Sequence, residues 1–347
     1  MKKTTKEKRA QNLKFNLKNL KLGKKRASNH KKILKKNKIS KKIVIYKLSA
    51  PEHFILNNVP DRELLITLIA KANQYLTDPR VKIKIDFSKT KKMNPCGTLY
   101  FMAQIDSLLM KYRGRVTCNY PNDEIVGQLL QHFGLLEKMG LPPKFTITAE
   151  NVLPWHYVVG TKADTSKLSD LMQSYENELE KPMRLGLYDS MAEAVTNCAH
   201  HAYDEAQRIL PEEQKWWMFA QKSGLLLTVA IYDSGIGIPE SLRKKPELKD
   251  FIKGLNFRNR RSDKRLLLAA VGSNKSSTKL PYRGLGLPEM LNFVQKNSEG
   301  GLLIHSNRGA FMYRADTANQ STGHYDKEIA GTLIQWTLPL IDGEQNG

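Results

Sequence analysis

Three short stretches, far apart in the chain, carry residue types that could handle a phosphorylated ligand. The first is Glu193-Ala-Val-Thr-Asn197-Cys-Ala-His-His201. In a helix, residues four apart stack along one face. Glu193, Asn197 and His201 would then form a polar line, and Met191, Val195, Cys198 and Ala202 an apolar one. A carboxylate and an amide oxygen one turn apart suit a proton acceptor and a ligand for a hard divalent cation. An ordinary solvated stripe has the same spacing. The second stretch, Asp233-Ser-Gly235-Ile-Gly237-Ile-Pro239, directly follows the apolar run Leu225–Tyr232. Its glycines let backbone approach a flat ligand, and a carboxylate at a strand end can accept a hydrogen bond from an exocyclic amine. The third, Arg283-Gly284-Leu285-Gly286-Leu287, sets a glycine pair at the start of a helix. Unpaired N–H groups and the positive end of the helix dipole suit phosphate there. Taken singly, each glycine pair is also what a tight turn needs.

The elements that must position these residues follow from periodicity. Strands are expected at Lys42–Leu48, His53–Asn57, Lys82–Phe87 and Arg115–Tyr120. Helices are expected at Asp61–Leu76, Cys96–Tyr112 and Asn122–Phe133, the last with Asn122 as N-cap. Alternating strands and helices predict an α/β layer over 43–141, closed off by Pro142–Pro143. A connecting segment and helix occupy 142–184, with the helix at Ser166–Glu180. The second domain, 185–347, is expected to hold a long helix from Leu187 to Arg208. Strands follow at Lys215–Gln221 and Leu225–Tyr232, a polar basic stretch at 240–283 and a helix from Gly286 to Lys296. Strands at Gly301–His305, Ala310–Arg314 and Gly331–Pro339 close the chain.

Of the 347 residues, 56 are Lys or Arg and 34 are Asp or Glu, a net charge of +22. Residues 1–42 hold 18 of the bases and the single acid Glu7, which leaves the remainder at only +5. The basicity is that of a tail, expected to be disordered by its own repulsion. Such a tail is a candidate for polyanion or nucleic-acid binding, for an anionic membrane surface, or for no dedicated partner. A second basic patch spans Glu240–Arg283, with 13 Lys or Arg against four acids. No run approaches the ~18 consecutive apolar residues of a membrane-spanning helix. Cys96, Cys118 and Cys198 lack metal-ligand spacing and read as reduced thiols, so a cytoplasmic location is expected.

Taken together, in this order and spacing, the three stretches resemble the N, G1 and G2 boxes of the GHKL ATPases. That family includes gyrase, heat-shock protein ninety and the histidine kinases. The wording Glu-Ala-Val-Thr-Asn…His-Ala-Tyr is most similar to the anti-sigma-factor serine kinases, and Gly331-Thr332 matches the G3 position. The resemblance implies an α+β two-layer (Bergerat) domain that binds ATP and magnesium. It implies that Asp233 binds the adenine amine, with Gly235 and Gly237 against the base and Thr332 beside it. Asn197 would coordinate magnesium, and Glu193 would be the general base. Arg283, Gly284, Leu285, Gly286 and Leu287 would meet the phosphates, with His201 beside them. Residues 240–283 would be a mobile lid whose Arg283 faces phosphate, with Lys275 and Lys279 either facing phosphate or simply solvated.

Residues 53–140 are similar to STAS domains, the fold of anti-sigma-factor antagonists. The likeness rests on an apolar strand, then Asp86-Phe-Ser88, then Met93-Asn94-Pro95-Cys96-Gly97 opening a helix. Phosphorylatable members read Asp-Ser-Ser-Gly there; Cys96 stands where the phosphoacceptor serine would be, and a thiol is not its equivalent. The loop remains a candidate partner surface, with Ser88 and Thr98 nearby. The expected function is a nucleotide-dependent protein-interaction switch with serine/threonine kinase or slow ATPase activity. Its partner is expected to be a protein, a second copy of the chain included. The alternative is a nucleic-acid-associated ATPase using the tail. A sensor histidine kinase fits less well, since Ser166–Glu180 holds no histidine.

Overall fold

Lysine and isoleucine alternate along β3 (Val81–Asp86), so Ile83 and Ile85 are buried while Lys84 is exposed. In the computed structural model, which describes residues 42–150, 152–153, 155–161, 163–203, 210–244, 262–272 and 286–341, β3 is the middle of a three-stranded sheet. Its neighbours are β1 (Val44–Ser49) and β5 (Val116–Cys118). β3 and β5 run parallel, with Ile83 opposite Val116. A two-residue parallel pair, β2 (His53–Phe54) and β4 (Lys92–Met93), lies beside it. Helix α1 (Val59–Leu76) is capped by Asn58, whose Oδ1 accepts the Asp61 N–H at 3.2 Å. Helix α2 (Pro95–Lys111) opens on a proline in its first turn. Helix α3 (Glu124–His132) begins one residue later than the expected Asn122 cap allows. Asp123 caps it, its Oδ1 accepting the Val126 N–H at 2.9 Å. The short α4 (Leu135–Lys138) ends this layer.

The rest is built on a seven-stranded sheet in the order β11-β10-β9-β12-β8-β7-β6. All of its pairings are antiparallel. In chain order the strands are β6 (Trp155–Gly160), β7 (Trp216–Ser223), β8 (Leu226–Asp233), β9 (Gly301–Ser306), β10 (Gly309–Arg314), β11 (Asn319–His324) and β12 (Thr332–Pro339). Two of these strands lie where none was expected. β6 falls in the connecting segment and forms one edge of the sheet. β11 is polar and exposed, because an outer strand paired only to β10 needs no apolar alternation.

One face of this sheet is covered by α5 (Ser166–Gln173), α6 (Lys181–Asn197), α8 (Asp263–Val271) and α9 (Gly286–Gln295). Their apolar stripes share a core with Trp216, Met218, Val229, Ile231, Ile304 and Trp336. The expected helix Leu187–Arg208 starts earlier, at Lys181 with Pro182 in its first turn, and its α-helical part ends at Asn197. A π-helical turn over Cys198–Ala202 follows. Residues 240–283 are not one free loop. α7 (Ile238–Lys244) and α8 lie within or across their bounds, and Leu266 and Leu267 of α8 are fully buried.

The opposite face is equally apolar, with Trp217, Phe219, Tyr232 and Leu333 fully buried. The N-terminal layer covers it. Cys96 Sγ donates to Gln335 Oε1 at 2.8 Å, and Gln104 Nε2 donates to the Tyr232 hydroxyl at 2.8 Å. Phe133 stacks on Phe219 with 4.9 Å between centroids. Residues 45–78 and 82–347 accordingly form one unit, and Pro142–Pro143 does not separate two independent bodies. This placement removes Cys96 and Thr98 from solvent, while Ser88, Asn94 and Pro95 of the same segment stay partly exposed. Among the described residues, no helix is long and apolar enough to cross a membrane.

Candidate functional site

Strand register sets the floor of the site. Asp233 ends β8, and the sheet puts Thr332 of β12 opposite it and Ser306 of β9 opposite Thr332. All three are buried. The Ser306 and Thr332 hydroxyls are 3.0 Å apart. The Asp233 carboxyl accepts the Gly235 N–H at 2.9 Å, and the Cys198 thiol lies 3.7 Å from its other oxygen. Burial raises its pKa to about 6, against the pull of these donors and of the Thr332 N–H. A buried carboxylate poised this way is a strong acceptor held in an apolar setting.

The loop after Asp233 is shaped by close backbone contacts. A Cβ on Gly235 would lie 2.1 Å from the Ala202 carbonyl oxygen, so only glycine fits there. That carbonyl accepts the Ile236 N–H at 2.7 Å, which ties the π turn to the loop. Ala202 ends the helical run, where carbonyls have no partner within the helix, so its oxygen is available for this contact. Gly237 has φ +80, and a Cβ there would lie 1.6 Å from Asn307 Oδ1.

The second wall comes from α6 and α9. Asn197 Nδ2 donates to Glu193 Oε1 at 3.1 Å, as their spacing predicts. Gly286 opens α9 directly against Glu193; a Cβ on it would lie 2.2 Å from Glu193 Oε1. Glu193 and Asn197 are half-buried. The three stretches singled out by residue type thus meet: Cys198 touches Asp233, Ala202 binds Ile236, and Glu193 abuts Gly286. His201 does not continue the polar line. It sits on the wider π turn and is exposed. Leu287 is half-buried beside the core. Arg283, Gly284, Leu285, Lys275 and Lys279 lie outside the described residues, as does the tail 1–41.

Residue types alone did not single out Ser306, Asn307 or Cys198 as site residues. Ser306 Oγ accepts the Ile238 N–H at 2.8 Å, and Asn307 Nδ2 donates to the Ile236 carbonyl at 3.0 Å. The available signal was the turn Asn307-Arg308-Gly309 between two strands, where asparagine tolerates the positive φ of +50 seen here. On the far side of the sheet, a cleft of about 470 Å³ is lined by Lys91, Lys92, Asn94, Trp155 and Gln335 among others. It contains none of the expected site residues. No group of three His, Cys, Asp or Glu among the described residues could hold a metal ion. Compared with models of known protein families and with curated proteins, the chain matches none.

Proposed function

We propose that the chain binds ATP with magnesium in the manner of the GHKL ATPases and works as a nucleotide-dependent protein-interaction switch. The reading rests above all on one observation. The buried carboxyl Asp233 and the Glu193–Asn197 pair are held on contacting elements: Cys198 touches Asp233, and Glu193 abuts Gly286 at the start of α9. The helix-backed antiparallel sheet is in keeping with a Bergerat-type domain, and the parallel β3–β5 layer with a STAS-like one.

The residues fit the ligand. Asp233 would accept from the adenine amine, and the turn over Gly235 and Gly237, whose missing Cβ atoms let it pack on Ala202 and Asn307, would border the base. The N-terminus of α9 at Gly286 would present backbone N–H groups to phosphate. Asn197 would supply one oxygen to magnesium, which prefers phosphate and water for the rest. Bound magnesium would offset phosphate charge. Glu193, one turn before Asn197, would accept the proton of an attacking water or serine hydroxyl. This assigns serine/threonine kinase or slow ATPase chemistry to the site.

Incubation with labelled ATP tests the reading. Glu193→Ala should keep nucleotide affinity within about threefold and lower turnover roughly 10²–10⁴-fold. Asn197→Ala should abolish the dependence of binding on magnesium. Binding without turnover in every form would leave a switch and remove the enzyme. A parent protein that binds no nucleotide would overturn the proposal.

A further inference from the structure

Arg62 is fully buried, with no carboxylate paired to it among the described residues. Its guanidinium lies 4.0 Å over the Tyr325 ring. Nη1 donates to the Leu56 carbonyl at 3.5 Å, and Nη2 donates to the carbonyls of Asn307 and Lys327 at 3.4 and 3.3 Å. Nε has no partner. Burial lowers its pKa to about 10. The nearby buried His305 is held neutral, its pKa pushed down to about 3 by burial and by Arg62. A cation buried at this cost is a poor stability device, since an apolar side chain of similar size often serves as well. What it holds is therefore informative.

It holds Asn307. The Asn307 N–H donates to the Gly331 carbonyl at 3.2 Å, and its carbonyl accepts the Ile329 N–H at 3.1 Å as well as Arg62. Its side chain binds Ile236 and packs against Gly237. One residue thus joins the 234–238 loop, the segment leading into Thr332, and helix α1. Lys327 adds a second tie between the same parts, donating to Thr67 Oγ1 at 2.6 Å.

We infer that Arg62, acting through Asn307, is a positioning residue for the base-binding loop, so that the N-terminal layer is a working part of the nucleotide site and not a separable module. The inference rests on the nucleotide reading above and predicts an effect confined to the base end. Titration calorimetry with adenosine, Mg-ATP and Mg-tripolyphosphate separates the ends of the ligand. Arg62→Met should weaken adenosine and Mg-ATP by the same factor, fivefold or more as an order of magnitude, and leave tripolyphosphate within about twofold. Arg62→Lys should recover part of the loss. Lys215→Met breaks another contact between the layers, the 2.9 Å pair with Asp106, and should change none of the three. A folded Arg62→Met protein that binds adenosine like the parent overturns the inference.

Where Arg62→Met does not fold, Asn307→Ala replaces it with the same expected loss, and unchanged adenosine binding overturns the inference equally. Amide exchange decides the matter even if the parent binds no nucleotide. The Ile236 and Ile238 N–H groups are hydrogen-bonded to Ala202 and Ser306, and Arg62→Met should speed their exchange about tenfold or more. Acceleration there, with no nucleotide binding, would uphold the Arg62 device and sink the ATP assignment. Unchanged exchange would sink the device.

Discussion

Asp233→Asn is expected to cut affinity for Mg-ATP roughly tenfold to hundredfold, the worth of a hydrogen bond to a buried charged acceptor. The same change should not weaken the unliganded fold as much as removal of a buried polar group usually does. The pKa of Asp233 is raised from 3.8 to about 6 by burial, so its ionised form disfavours the folded state. That penalty is absent below the unfolded value and grows as pH rises through about 6. By neutral pH it reaches roughly 3 kcal/mol. Asparagine escapes it only in part. The Gly235 N–H, the Thr332 N–H and the Cys198 thiol all point donors at the carboxyl, and an amide offers them a single acceptor. Binding should show the opposite dependence, because an amine donor favours the ionised carboxylate. Mg-ATP affinity should fall as pH drops through about 6, with proton release on binding near that pH. Calorimetry in buffers of different ionisation enthalpy measures this directly. A parent protein whose affinity is flat from pH 5 to 8 would exclude Asp233 as the acceptor.

Gly331→Ala should cost roughly 2–5 kcal/mol in urea unfolding, with loss of nucleotide binding. Gly331 has φ +98, and a Cβ there would lie 2.0 Å from the backbone oxygen of Asp233. Strand β8 would have to move away from β12 at the point where Asp233 and Thr332 stand opposite each other. Gly114→Ala is the control, since Gly114 has φ +69 with nothing within 4 Å of its Cβ position. It carries the conformational strain alone, about 1 kcal/mol. Equal costs for the two variants would mean that the close approach to Asp233 has no energetic weight.

What the chain discloses before folding depends on whether a signal is local. The apolar stripe Met191, Val195, Cys198 and Ala202 is legible as helical spacing, and all four residues are buried. The break between β7 and β8 is legible one residue early: Ser223–Gly224 is the expected join, and the turn falls at Gly224–Leu225. The π turn after Asn197 has no local signature, and the Ala202 carbonyl that ends it finds its partner 34 residues later. β11 escapes periodicity because its surroundings are solvent. The contact between the layers was visible only indirectly. β8 reads apolar at nearly every position rather than at alternate ones, the pattern of a strand buried on both faces. Leu227, Val229 and Ile231 point to the helices, while Ala230 and Tyr232 point to the other face. Residues such as Arg62 and Asn307 draw their roles from partners some 245 positions apart, and no spacing rule reaches that far.

The central claim is that a nucleoside triphosphate sits between α6, α9 and the Asp233 end of β8. The most direct measurement is a crystal structure of the protein grown with magnesium and a non-hydrolysable ATP analogue. Density for the base is expected against Asp233 and Thr332, with the phosphates reaching toward Asn197 and the start of α9. Density for the analogue on the other face of the sheet, in the cleft beside Lys91 and Lys92, would contradict it.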